Sequence, residues 1–192
     1  MINFKSLKND IPKPIRLFLG KAFLLFIVWK IVYNIFLYDS RYLDHPLTTN
    51  VADVSVYVLN NLGDMSGFTS VRKIDKYPFQ GTKAEYEISA IYHHDNVILH
   101  IANVCNGLEL MVLYVGFIIC MPALFWRKIK YIILGLITLH LINIIRCVGL
   151  IYLREYYHQY FDFAHHYLFN AMVYTGTLLI WMLFSRKINL KK

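Results

Sequence analysis

Four long apolar stretches constrain what this chain can fold into more than any other feature. The stretches are residues 17–38, 105–125, 131–153 and 167–184. Each approaches the roughly 20 apolar residues that a helix needs to cross a bilayer. The first also contains Lys21 and Lys30, whose charges must reach the interface or face protein. We therefore predict a mainly α, polytopic transmembrane bundle of about four helices, folded as a single membrane-embedded domain over residues 1–192.

Cationic residues flank these stretches and predict their direction. The net charge is +8, and Lys and Arg cluster before the first stretch, between the second and third, and after the fourth. With four crossings, all three clusters fall on one side, which the positive-inside rule assigns to the cytoplasm. Residues 39–104 and 154–166 would then be extracytoplasmic. Because these clusters of Lys and Arg are explained by the orientation of the membrane helices, the positive net charge does not indicate nucleic-acid binding, and we expect no nucleic-acid partner.

The long segment 39–104 is predicted to form a small α/β cap. Apolar residues recur at helical spacing up to Leu62, which predicts a helix that starts near Thr48, Thr49 or Asn50 and stops at Gly63. Residues 86–92 and 97–104 resemble strands around a polar turn at 93–96, as in a β-hairpin. The predicted cap is therefore an amphipathic helix plus a hairpin that leads into the second membrane helix.

Arg146 lies within the third apolar stretch and requires an explanation. An arginine at the centre of a membrane helix costs roughly 2.5 to 3.5 kcal/mol on insertion scales. One interpretation is a buried structural cation paired with Glu109 or with backbone carbonyls. Glu109 follows Cys105 by four residues, so both would project from one face of the second helix. The other interpretation is a functional cation.

Cys105 differs in position from the other two cysteines. Cys120 and Cys147 lie well inside apolar stretches and are interpreted as small hydrophobic residues. Cys105 stands at the start of the second stretch, followed by Asn106 and Gly107, where a helix N-terminus would lower the pKa of a thiol.

His165 and His166 are predicted to open the fourth helix at the outer surface of the membrane, on the same side as Cys105. An isolated pair of histidines there is most simply an interfacial amphipathic pair. Together with Cys105 and Arg146 it forms a workable catalytic set, with a thiolate nucleophile, a general base and acid, and a cation for a developing oxyanion.

At these residues the sequence resembles the exosortase/archaeosortase family of membrane cysteine transpeptidases. The matching pieces are Asn103-Val104-Cys105-Asn106-Gly107-Leu108, Asn143-Ile144-Ile145-Arg146 and Ala164-His165-His166. Their order on successive helices is more specific than any one motif, and the chain looks like a short, exosortase F-like form. Two positions differ from the family pattern. Asn170 stands four residues after His166, where glycine is common, and Glu109 stands four residues after Cys105, where many members have arginine.

The resemblance implies a function and a set of residues that perform it. It implies cleavage of exported proteins that carry a C-terminal sorting signal, made of a motif, a transmembrane helix and a basic tail, followed by transfer to an envelope acceptor. The implied catalytic residues are Cys105, Arg146 and His166. The supporting or substrate-binding residues are Asn106, Gly107, Glu109, Asn143, His165 and Asn170. No metal or organic cofactor is expected.

The resemblance also implies where the protein works. We expect a multi-pass protein embedded in the lipid of a bacterial cytoplasmic (inner) membrane. Its active site would face the periplasm or other extracytoplasmic side.

Two other functions compete with this interpretation. The first is a non-catalytic scaffold of an envelope export or assembly system, in which Arg146 and Glu109 pair and Cys105 only packs. The second is a metal or haem binder that uses His93, His94, His165 and His166, although these lack regular ligand spacing.

Overall fold

The protein is mainly helical, with one small antiparallel sheet. The computed structural model describes residues 13–37, 41–62, 65–79 and 82–186. The helices are α1 (Lys13–Val32), α2 (Asp44–Leu62), α3 (Leu108–Cys120), α4 (Phe125–Tyr156), α5 (His158–Phe163) and α6 (Phe169–Ser185). A π-helical turn, Tyr33–Leu37, extends α1, and a second, Ala164–Leu168, joins α5 to α6. The strands β1 (Phe68–Phe79), β2 (Thr82–His93) and β3 (Asn96–Ala102) pair in the order β1-β2-β3.

Three helical segments of the described residues are long and apolar enough to cross a membrane. They are Arg16–Leu37, Phe125–Tyr156 and His158–Ser185. The predicted class, a polytopic helical membrane protein, is therefore confirmed. The number of four crossings stays a prediction, because the remaining apolar helix, α3, has only 13 residues.

The second apolar stretch was expected to be helical over residues 105–125, and this was wrong. Gly107 precedes α3 in a left-handed conformation with φ of 84°, and Met121 follows it in an extended conformation with ψ of 139°. Pro122 explains the early end, because proline disfavours helical geometry in the residue before it. At 1.5 Å per residue, α3 is roughly 20 Å long.

One apolar core lies among α3, α4 and α6. Its buried residues are Met111, Tyr114, Ile118, Met121, Leu139, Ile180 and Phe184. The hydroxyl of Tyr114 donates a hydrogen bond of 2.7 Å to the carbonyl of Tyr131, which fixes the ring against α4. Gly135 makes this approach possible, since a Cβ there would lie 2.1 Å from the Tyr114 ring.

A second core joins the sheet and α2 to the C-terminal half of α4. Its buried residues are Val51, Ala52, Leu59, Phe68, Ile91, Ile101, Cys147 and Ile151. Because α4 has 32 residues and spans roughly 48 Å, it passes through both cores. The sheet and α2 are thus attached to the membrane helices through one continuous helix.

The described part of segment 39–104 contains more structure than predicted. Its helix begins at Asp44 rather than near Thr48, with Pro46 tolerated in the first turn, so Thr48 is buried inside the helix instead of capping it. Gly63 lies outside the described residues. The hairpin is present, with its turn at His94 and Asp95. Strand β1 was missed, because its charged residues and Pro78 obscure the alternation.

We predict that Gly135→Ala destabilises the bundle by about 1–3 kcal/mol, because a new methyl group must displace the hydrogen-bonded Tyr114 ring. The measurement is thermal unfolding of the purified protein in detergent. Gly20→Ala is the matched control, since a Cβ there meets nothing within 4 Å and alanine favours a helix. Equal unfolding temperatures for the two variants would contradict the prediction.

Candidate active site

Cys105 lies in a turn between the sheet and the membrane helices. A short 3-10 helix, Asn103–Cys105, follows β3, and α3 begins only at Leu108. The expectation that the helix starts at Cys105 was therefore wrong by three residues. The side-chain oxygen of Asn106 accepts a hydrogen bond of 2.8 Å from the Leu108 amide and so satisfies one of the free N–H groups of α3. Cys105 is half-buried and lies three residues before this helix start.

Helix α4 holds the Cys105 turn from one side. The side-chain amide of Asn143, which is 3% exposed, donates a hydrogen bond of 3.2 Å to the carbonyl oxygen of Cys105. Gly107 packs on the same side chain, since a Cβ at Gly107 would lie 3.5 Å from Asn143. The Cys105 side chain also packs against the core that contains Cys147. The sequence-predicted residues Cys105, Gly107 and Asn143 are thus close together.

Helix α2 holds the turn from another side through a buried polar cluster. The side chain of Asn106, which is 1% exposed, donates hydrogen bonds to the carboxylate of Asp44 at 2.7 Å and to the hydroxyl of Thr48 at 3.2 Å. Tyr33 donates a further hydrogen bond of 2.7 Å to Asp44. The Thr48 hydroxyl in turn donates to the side chain of Asn103 at 3.0 Å. The cluster ties α1 and α2 to the residues on both sides of Cys105.

The sheet supplies the third support. Arg72 on β1 donates a hydrogen bond of 2.9 Å to the side-chain oxygen of Asn103, and its Nε lies 3.1 Å from the carboxylate of Glu87 on β2. His45 at the start of α2 lies 2.6 Å from the same carboxylate. Burial raises the pKa of Glu87, but the hydrogen bonds and charges of Arg72 and His45 outweigh it. The Glu87 pKa therefore lies below its ordinary value of 4.5.

Arg146 and the two histidines lie on facing helical segments. Arg146 immediately precedes Cys147, whose core Cys105 packs against. Leu150, one turn after Arg146, packs against Ala164, which directly precedes the histidines. His165 is half-buried and stacks on Phe161 with ring centroids 5.7 Å apart, whereas His166 is exposed. Within the described residues, the buried Nε of Arg146 has no hydrogen-bond acceptor.

The histidines do not open the fourth helix as predicted. They lie in the π-helical turn Ala164–Leu168, inside a helical segment that starts at His158. A π-helical turn places side chains out of the regular helical register and is common at functional sites. Asn170, one turn later, donates a hydrogen bond of 3.0 Å to the carbonyl of His166, which stabilises the end of this turn.

Glu109 has a partner other than the one considered from the sequence. Its carboxylate lies 2.6 Å from the ammonium group of Lys30 on α1. The ion pair is exposed, so it contributes about 0 to 1 kcal/mol to stability. It neutralises Lys30, which the sequence had left without an explanation. The structure therefore gives no support to a structural pair of Glu109 with Arg146.

A cleft opens beside the Cys105 turn. It lies between the end of α1, the start of α2 and the start of α3. The residues that line it are Trp29, Lys30, Tyr33, Asn34, Asp44, Asn103, Val104, Asn106, Leu108 and Glu109. Asp44 and Asn34 were not singled out from the sequence, because neither belongs to a local motif and α1 and α2 meet the turn only in the folded chain.

The histidines considered as metal ligands are engaged separately. His93 lies 2.8 Å from Glu155 of α4 and stacks on Phe68. Among the residues that the structure describes, no three His, Cys, Asp or Glu side chains approach closely enough to hold a metal ion.

The fold and the site define a polytopic membrane protein whose candidate active site is centred on a cysteine. Residues 14–184 match the family model described as transmembrane exosortase, and the chain belongs to this family. The family predicted from the motifs around Cys105, Arg146 and His166 is thereby confirmed. Comparisons with curated proteins and with solved structures found no match.

We predict that Asp44→Ala lowers the free energy of unfolding by about 1–3 kcal/mol, because Asn106 loses its buried charged acceptor. Thermal or denaturant unfolding in detergent measures the change. Asp53→Ala on the same helix is the matched control, since Asp53 is exposed and bonded only to the Ser70 hydroxyl in the described contacts. A loss no larger than that of the control would show that the Asp44 cluster adds nothing to stability.

A second prediction concerns pH. Because the folded-state pKa of Glu87 is lowered, its contribution to stability is present above about pH 4.5 and is lost as the pH falls through the lowered pKa. Unfolding temperatures of wild type and Glu87→Gln should therefore differ most near pH 7 and converge in acid. A difference that stays constant from pH 7 to pH 3 would rule out this linkage.

Proposed function

We propose that the protein is a membrane cysteine peptidase and transpeptidase that cleaves C-terminal sorting signals of exported proteins at the outer face of the membrane. The observation that carries the proposal is the Cys105 turn. Three separate elements hold it, and Arg146 lies three residues after Asn143, on the face of α4 that Asn143 turns toward the Cys105 carbonyl. Membership of the transmembrane exosortase family supports the same activity.

The proposed topology has four crossings, with both termini in the cytoplasm. Helix α3 is short, but the turn before it and the extended segment 121–124 after it add length. Leu124 is 82% exposed, so this segment is placed at the cytoplasmic interface, where water can satisfy free backbone groups, and not at membrane depth. Residues 41–62, 65–79 and 82–104 then form a cap on the outer side.

Arg146 lies 21 residues beyond Phe125, or roughly 30 Å along α4, which is near the outer edge of the hydrocarbon core. This position avoids most of the cost of a buried guanidinium.

The proposed first step is acylation of Cys105. A histidine takes the thiol proton, and the sulfur forms a bond to the scissile carbonyl carbon. Arg146, whose buried Nε lacks an acceptor among the described residues, would donate to the oxyanion. The carbon–nitrogen bond then breaks as the histidine returns the proton to the leaving amine. The product is a thioester between Cys105 and the substrate.

The proposed second step releases the substrate. An amine or other nucleophile of an envelope acceptor, or water, attacks the thioester carbon and loses its proton to the histidine. The carbon–sulfur bond breaks, and the returned proton restores the thiol. His165, which is half-buried, and His166, which is exposed, are both candidates for this base, and the family resemblance matches His166. Parallel His165→Gln and His166→Gln variants distinguish them, because only the base is essential to both steps.

We predict that Cys105→Ala abolishes processing of an epitope-tagged substrate with a C-terminal sorting signal, encoded near this gene. Cleavage is followed by a mobility shift in cells that express each variant at equal levels. Cys120→Ala is the matched control and should process normally. Cys147→Ala is the second control, which should retain processing with some loss of stability because Cys147 is buried.

Unchanged processing in the Cys105→Ala variant would overturn the cysteine mechanism. A variant that also keeps full biological function would favour the non-catalytic scaffold instead.

We predict that Arg146→Lys lowers the rate of processing by at least about tenfold, because an ammonium group does not reproduce the planar fork of a guanidinium. The rate is measured with the same substrate, and Arg154→Lys, nearer the end of α4, is the matched control. Wild-type rates with Arg146→Lys would remove Arg146 from the proposed oxyanion site.

A further inference from the structure

Different parts of the fold line the two ends of the cleft beside the Cys105 turn. At one end it is lined by Asn103 and Val104, which directly precede Cys105. At the other end it is lined by Trp29 and Lys30 of α1 and by Glu109 in the first turn of α3. The cleft therefore extends from the neighbours of Cys105, which does not itself line it, to α1 and the first turn of α3.

Helices α1 and α3 pack against each other away from the cleft. Phe18 contacts Phe117 with ring centroids 4.6 Å apart, and Leu25 lies against Gly116, where a Cβ would be 2.6 Å from its side chain. The Lys30–Glu109 pair lies at the opposite ends of these helices, where they border the cleft. The Lys30–Glu109 ion pair therefore forms the part of the cleft lining where α1 meets the first turn of α3.

The walls suit an extended peptide. Trp29 and Tyr33 form an aromatic flank with ring centroids 5.6 Å apart. Asn34 and Asn103 contribute amides, which both donate to and accept from a peptide main chain. Lys30 and Glu109 are 43% and 61% exposed, so they offer a donor and an acceptor without net charge. Because the carboxyl group of Asp44 also belongs to the lining, the cleft disfavours a strongly acidic segment.

We infer that this cleft binds the substrate segment between the scissile bond and the substrate's own transmembrane helix. The inference rests on the proposed function. In a substrate cut on the outer side, the C-terminal side of the scissile bond leads down to its membrane helix. In the proposed topology Glu109 lies deeper in the membrane than Asn103 and Val104, so a cleft that extends from these residues to Glu109 runs in the same direction. The leaving part of the substrate therefore occupies the cleft, and Asn34 contacts it.

Photocrosslinking tests this placement directly. The photoreactive residue p-benzoylphenylalanine is introduced at position 34 or at position 35 of the full-length Cys105→Ala protein, in cells that express the tagged substrate. Asn34 lines the cleft, whereas its neighbour Ile35 is 63% exposed and does not line it. We expect at least about fivefold more adduct from position 34. Mass spectrometry should map that adduct to the segment between the cleavage site and the substrate's membrane helix.

A second pair of variants measures the effect on processing. Asn34→Trp fills the cleft and should slow cleavage at least about tenfold, while Ile35→Trp should leave it unchanged at equal protein levels. The wild-type protein and Cys105→Ala are assayed in parallel, so that the activity itself is tested independently.

The outcomes separate the two proposals. Suppose first that cleavage depends on Cys105. The cleft assignment alone is then overturned by any of three results: equal adducts from positions 34 and 35, an adduct that maps to the N-terminal side of the cleavage site, or normal cleavage by Asn34→Trp. Cleavage that persists in Cys105→Ala would overturn the proposed function and the cleft assignment with it.

Discussion

The buried hydrogen bond between Asp44 and Asn106 is the contact on which the candidate site most depends. Asn106 is nearly inaccessible, and its side chain both caps α3 and bonds to α2. A buried carboxylate is stable only when it is hydrogen-bonded, and Asp44 has two donors, Tyr33 and Asn106. The hydrogen bond from Asn106 that Asp44 requires therefore also holds the backbone next to Cys105 in place. Stability and the geometry of the nucleophile are determined together.

The sheet strengthens this arrangement from a distance. Its central strand contributes Glu87, which holds Arg72, and Arg72 reaches Asn103 in the turn. His93 at the end of β2 lies against Glu155 of α4. The hairpin is thus attached both to the turn and to the long membrane helix. In the proposed enzyme the hairpin restrains the Cys105 turn through hydrogen bonds, which fix the orientation of a short loop better than apolar packing does.

Local patterns in the sequence predicted the helical membrane class, the hairpin and the family. They predicted the ends of elements less well. The length of α3 depends on Pro122 and on Gly107, which hydropathy does not register. The Asp44–Asn106 contact joins residues 62 positions apart, and no periodicity connects them. Charge topology predicts that Arg146 and His165 lie on one side of the membrane, but the π-helical turn that carries His165 has no sequence signature here.

Helix α4 carries Gly135 in one core, and Asn143, Cys147 and Ile151 at the site and in the other core. Each residue added to or removed from an α-helix rotates everything beyond it by about 100°. A single insertion between Leu139, the last buried α4 residue of the bundle core, and Asn143 would therefore turn the site residues away from the Cys105 turn while leaving that core in place. The number of residues in this interval therefore sets the rotation between the two halves of α4, a constraint that does not apply to a surface turn such as the one at His94 and Asp95.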